Sequence, residues 1–189
     1  GTNNVLLLLG FHNDYFANQT DLSTGTSRPI AITLVDFNHD TQLDIVMANY
    51  GASSVALLLG QPNGSFPTLM SISTGVLSRP SSTAIGDFDG DGQTDVAVAD
   101  MFASAVKVLY SYGNGSFAPL RSYSTGIGSV PQAIAVGDFT NDSRLDIVVG
   151  NSVTRTIFTL LRYDSGALRK PVPYSTGPNS SPRAVAVGE

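Results

Sequence analysis

Apolar residues fall along this chain in short runs, among them "VLLLL" at 5–9, "IVMA" at 45–48, "VALLL" at 55–59, "VAVA" at 96–99 and "IVV" at 147–149. Each run is bounded by Asp, Asn, Gly or Ser. Short apolar, β-branched runs between turn residues predict strands, and no segment sustains the period of an amphipathic helix. In the stretch 82–132 the pattern predicts four strands, at 82–86, 95–99, 105–110 and 117–123, separated by an aspartate-rich loop, an Asp/Asn turn and "GNGS". Asn-Gly at 63–64 and 114–115 favours the positive φ of a tight hairpin.

The pattern repeats. "DF" recurs at Asp36, Asp87 and Asp138 with a spacing of 51, and "STG" at Ser23, Ser73, Ser124 and Ser175 with spacings of 50, 51 and 51. "LDIVMANYGASSVALLLGQPNGSF" at 43–66 aligns with "TDVAVADMFASAVKVLYSYGNGSF" at 94–117, and 145–168 is a looser third copy. Four strands per repeat of about 51 residues predict an all-β chain of β-propeller blades, because a lone four-stranded sheet has two apolar faces that only neighbouring blades can cover. The expected units within 1–189 are a partial blade at 1–30 holding its third and fourth strands, blades at 31–81, 82–132 and 133–183, and the first strand of a further blade at 184–189.

The aspartates gather in the loop between the first and second strand of each repeat. "DFDGDGQTD" at 87–95 holds four aspartates in nine positions. Two carboxylates about 4 Å apart repel by roughly 4 kcal/mol at a partly covered surface, so such a loop needs a counter-charge. Calcium fits, because it takes six to eight oxygens from carboxylates, amides, carbonyls and water. Val98 stands at position twelve, where a helix-loop-helix calcium motif would carry Glu, and strands flank the loop, so it is a strand connector of another kind.

"AIGDFDGDGQTDVAVAD" and "AVGDFTNDSRLDIVVGN" resemble the FG-GAP or VCBS repeats of integrin-α-type β-propellers, and the resemblance covers essentially the whole chain. It implies Ca2+ in up to three loops, held by positions one, three, five, seven and nine. These are Asp36, Asn38, Asp40, Gln42 and Asp44; Asp87, Asp89, Asp91, Gln93 and Asp95; and Asp138, Thr140, Asp142, Arg144 and Asp146, with Gln42, Gln93 and Arg144 acting through their backbone carbonyls. The second loop, with four carboxylates and Gly92 at position six, is the best candidate. Thr41 and Ser143 replace that glycine in the other two.

Charge sharpens this picture. The chain carries 15 acidic and 10 basic residues, a formal charge of -5, and ten of the acids lie inside the three loops. Outside the loops charges are sparse, which argues against a nucleic-acid surface. The longest apolar run is too short to span a bilayer. With no cysteine, rigidity falls to stacked blades and ions. Sites of this exposed kind fill near ~0.1 to 1 mM calcium, which points to an extracellular or cell-surface setting.

Sequons at Asn18, Asn63 and Asn114 are glycosylation candidates, the last two on equivalent hairpin tips. Asn141 lies within an ion loop and Asn179 is soon followed by Pro182, so both are poorer acceptors. Gly1 and Glu189 fall inside repeats, so the expectation is a portion of a longer propeller, or a protomer whose open edges another copy completes. No nucleophile elbow or phosphate-cradling loop is visible. The expected function is therefore a non-catalytic calcium-binding module for adhesion, protein interaction or homotypic assembly. The alternative is a lectin or polysaccharide lyase on the same scaffold, with glycans as ligands and the tyrosines lining the binding face.

Overall fold

The computed structural model describes residues 3–8, 20–23, 27–163, 165, 167–169 and 172–188. Among these the chain is all-β, with no helix. Strands β1 (Asn4–Leu7) and β2 (Thr20–Ser23) pair antiparallel as a two-stranded sheet. Three four-stranded antiparallel sheets follow. The first consists of β3 (Pro29–Val35), β4 (Asp44–Asn49), β5 (Ser54–Leu59) and β6 (Thr68–Ser73). The second consists of β7 (Pro80–Gly86), β8 (Asp95–Asp100), β9 (Ala105–Leu109) and β10 (Arg121–Ser124), and the third of β11 (Pro131–Gly137), β12 (Asp146–Asn151), β13 (Thr156–Leu160) and β14 (Val172–Ser175). In each, neighbours in sequence are neighbours in the sheet.

The second strands β4, β8 and β12 are buried along their whole length. Their side chains alternate between two cores, as the period of two requires. Val46, Val55 and Leu57 of the first full blade meet Val96, Val98 and Leu109 of the second. Ala97, Ala99, Val106 and Val108 turn the other way, towards Ile134, Ile147, Val149 and Leu160 of the third. Ile45, Met47, Ala56 and Leu58 pack on Val5 and Leu22 of the two-stranded sheet. The cores thus lie between blades.

The first strands converge. Thr33 Oγ1 lies 3.0 Å from Thr83 Oγ1 of the next blade, and Ser81 Oγ donates to the Pro131 carbonyl at 2.9 Å. This is the arrangement of propeller blades around an axis. Residues 182–188 form no strand; Val185 and Val187 lie against Gly150 and Gly137 of the third blade.

The last strand of the second blade departs from its sequence pattern. A strand at 117–123 is expected, but Phe117 makes only an isolated bridge to Ser111 and the ladder resumes at Arg121. Pro119 has no N–H to donate, and it interrupts the ladder there.

Candidate metal centre

An antiparallel meander places its first and third connections at one end and its second connection at the other. The aspartate loops and the "NGS" hairpin tips therefore share one end of the blades. The "STG" linkers and the turns between second and third strands occupy the opposite end.

All three loops follow one backbone path. The position-one aspartate accepts the position-six N–H: Asp36 from Thr41 at 2.9 Å, Asp87 from Gly92 at 3.0 Å and Asp138 from Ser143 at 2.7 Å. The position-five aspartate accepts the position-seven N–H, as Asp91 does from Gln93 at 2.7 Å. Positions four and six take positive φ in every copy, at His39 and Thr41, Gly90 and Gly92, and Asn141 and Ser143. Position four is a demand that the glycine at position six does not reveal.

Position nine has a second role. Asp44, Asp95 and Asp146 are fully buried. One oxygen accepts the N–H of the loop's phenylalanine, Phe37, Phe88 or Phe139, at 2.8 to 3.0 Å. The other accepts an N–H sixteen residues on, at Gly60, Ser111 or Arg162, each at 2.8 Å. This carboxylate ties the loop to the end of the third strand. Phe37 and Phe88 plug into the core beneath.

The loops differ in how their negative charge is met. In the first, the Asn38 amide donates to Asp40 at 2.9 Å. In the third, the Arg144 guanidinium pairs with Asp142 at 3.1 Å. Asp138, slightly desolvated, still sits below the usual carboxylate range because the N–H groups of Ser143, Asp142, Thr140 and Asn141 point at it. In the second loop Asp87, Asp89 and Asp95 converge, and one oxygen from each lies within 4.8 Å of the others. No other trio of acidic or histidine side chains among the described residues does so.

The second loop resists that convergence electrostatically. Burial and then the neighbouring charge of Asp91 push Asp89 up. Burial pushes Asp95 up to about 7 against the N–H groups of Ser111 and Phe88, and Asp89 and Asp91 add to the rise. Ligands at 2.3–2.6 Å from one calcium ion sit up to about 5 Å apart, so these three oxygens match such a shell. Asp91 lies outside the convergent trio.

Sequence reasoning did not single out Arg162. From the third blade its Nη1 donates to the Asp87 carbonyl at 3.2 Å, and the guanidinium fills the space beside Gly90. Its position, eighteen residues after the third loop's Arg144, gives no sign of this contact with the second loop. Asn63 and Asn114 are exposed on their tips, each side-chain carbonyl accepting from the sequon serine's N–H and hydroxyl. Asn18 lies outside the described residues.

Residues 36–98 and, overlapping, 87–149 match the FG-GAP-like repeat. No curated protein matches the sequence. Among solved structures, the chain is similar to virginiamycin B lyase from Staphylococcus aureus (TM-score 0.58, 16% identity, 94% of this chain and 47% of that one). It is also similar to a protein from Lactobacillus plantarum (0.67, 13%, 93% and 50%) and to the periplasmic gluconolactonase of Pseudomonas aeruginosa (0.60, 20%, 86% and 47%). At these identities the likeness is one of fold, a β-propeller, and the chain spans about half the length of each.

Proposed function

The chain belongs to the FG-GAP-like repeat family, and from that premise we propose that it is a non-catalytic, calcium-stabilised β-propeller module acting in extracellular adhesion or assembly. The observation that carries the calcium reading is the convergence of Asp87, Asp89 and Asp95. A cation there would offset the burial and the like-charge repulsion that raise Asp89 and Asp95, and would lock the loop joining β7 to β8. Asp87 and Asp89 would bind through the oxygens they turn inward, with Asp95 clamping the third strand as it does so. The first and third loops, whose carboxylates already face an amide and a guanidinium, would bind more weakly.

The non-catalytic reading rests on the same bonds. Those bonds hold the loop carboxylates together at the spacing of a shared ion rather than as a free acid and base pair. An extracellular setting follows from the calcium level such open sites need. For the interaction role, β3 presents a row of exposed apolar side chains, Ile30, Ile32 and Leu34, on the side of the two-stranded sheet, which further blade strands, a protein partner or a further copy would cover. Terbium luminescence excited through nearby tyrosines, displaced by calcium, tests the metal reading. Loss of the signal in Asp89→Ala supports it, and an unchanged signal in that variant sinks it.

A further inference from the structure

The end of the blades opposite the aspartate loops carries the reverse charge. Among the described residues of its linkers and turns, Arg28, Arg79 and Arg155 are exposed. None of those residues is acidic, and Asp100, which ends β8 beside them, is fully buried and already paired with Lys107. Arg28 and Arg79 belong to consecutive copies, each just ahead of the proline that begins a first strand. Both guanidinium carbons lie 5.2 Å from the centroid of the Tyr50 ring, and Arg79 also lies 5.6 Å from that of Phe102.

Two cations on one ring are therefore no more than about 10 Å apart, and among the described residues neither has a carboxylate within ion-pair distance. The aromatic ring offsets only part of their repulsion. A stacked guanidinium keeps its N–H edges free and pre-set for planar oxyanions. Between them runs a groove of about 260 Å³ lined by Arg28, Tyr50, Ser53, Leu77, Arg79 and Phe102. Phe102 is 57% exposed, leaving an apolar ring face open. The next junction lacks these features, since Met101, Val130 and Val153 replace Tyr50, Arg79 and Phe102.

We propose that this groove between the first and second full blades binds an acidic saccharide, its carboxylate or sulfate on Arg28 and Arg79 and a sugar ring against Phe102. Among the described residues no strand edge borders the groove to pair with a peptide backbone, and a ring with an attached oxyanion uses both of its chemistries. The site lies away from the calcium loops and does not depend on them.

Isothermal titration of the full chain with an oligogalacturonate hexasaccharide and with a heparin hexasaccharide tests this, with maltohexaose as the neutral control. Binding of either acidic sugar, weakening as salt rises, is the expected result, and the tighter of the two identifies the anion. Arg28→Gln and Arg79→Gln should each weaken it by about tenfold, and Phe102→Ala by several-fold, while Arg155→Gln leaves it unchanged and melting curves show all variants folded. The proposal is overturned if neither acidic sugar binds or if maltohexaose binds equally well. It is also overturned if the double arginine variant binds like the parent, or if poly-glutamate binds as tightly with the same arginine dependence. The same titration in chelator separates this site from the metal: binding there should persist whether or not calcium raises the melting temperature.

Discussion

Asp95 accepts the backbone N–H of Ser111, sixteen residues further on, at 2.8 Å, while its other oxygen accepts that of Phe88 at 2.9 Å. Asp44 and Asp146 repeat both bonds. The position-nine aspartate therefore belongs to the blade as much as to any ion. In the third loop, where no convergent trio forms, Asp146→Ala isolates that structural role. It would leave the N–H groups of Phe139 and Arg162 without their partner, at about 1–3 kcal/mol each where they are cut off from water. Urea unfolding in chelator should show a loss of about 2 kcal/mol or more; a loss below about 0.5 kcal/mol would contradict the clamp.

Calcium should stabilise the chain by mass action. An ion filling its site at ~0.1 to 1 mM adds roughly 1.5–3 kcal/mol at about 10 mM calcium. For a chain of this length that raises the melting temperature by roughly 3–10 °C. Asp89→Asn should remove most of the rise and Asp142→Asn little of it, because Asp89 is in the convergent trio and Asp142 is already paired with Arg144. Differential scanning fluorimetry in calcium and in chelator reads both, and coincident curves for the parent protein would refute the site.

Left-handed backbone at Thr41 makes a third, independent expectation. Its φ of 72° is one a β-branched residue takes at a cost of roughly 1–2 kcal/mol. Gly92, at the same position in the second loop, meets no neighbouring atom that a side chain would touch. Thr41→Gly should therefore raise stability by about 0.5–1 kcal/mol after the glycine's greater unfolded-state entropy is set against the relieved strain. Chemical denaturation with and without calcium checks it, and a destabilised variant would show that the Thr41 hydroxyl contributes more than the strain costs.

Much of this was legible in the residues. Strand 2 of each blade is a short apolar run because both its faces are buried, so β4, β8 and β12 stand out even without a strict alternation. The shared path of the three loops was equally plain, because oxygen-bearing side chains recur at every second position of a short loop and repel where they gather unless a cation or a donor meets them. The four carboxylates of the second loop already set it apart; what could not be read was how the charge of the other two is met, because that depends on the Asn38 amide and the Arg144 guanidinium turning inward. Nor could the sequence say what the "STG" repeats do. Thr74 and Thr125 are buried in the linkers and hydrogen-bond to the serine four residues on, Ser78 and Ser129, at 2.7 Å. The motif shapes the step from one blade to the next.

The second blade adds a charged pair to that linker. Lys107 is buried against Asp100 and also donates to the Thr74 carbonyl, while Ser78 donates its hydroxyl to Asp100. The other two blades have Asn49 with Ala56 and Asn151 with Phe158 at the matching positions. Burial alone would raise the Asp100 carboxyl, but the bonds from Lys107, Ser78, and the N–H groups of Arg79 and Ala103 outweigh it and hold it below the usual range. An unfolded aspartate titrates near 3.9, so between the two values the unfolded chain binds more protons than the folded one, and stability rises with pH. The contribution is complete above about pH 5 and is lost as pH falls through the folded value. Lys107→Met should cost about 3 kcal/mol or more, since it leaves a buried carboxylate without its cation. Adding Asp100→Asn to that variant, which approaches the pairs of the other blades, should recover much of the loss and flatten the acid side of the stability profile. Urea unfolding from pH 3 to pH 7 in chelator measures both, and a double variant less stable than Lys107→Met alone would show that Asp100 supports the linker through its backbone bonds rather than through the lysine.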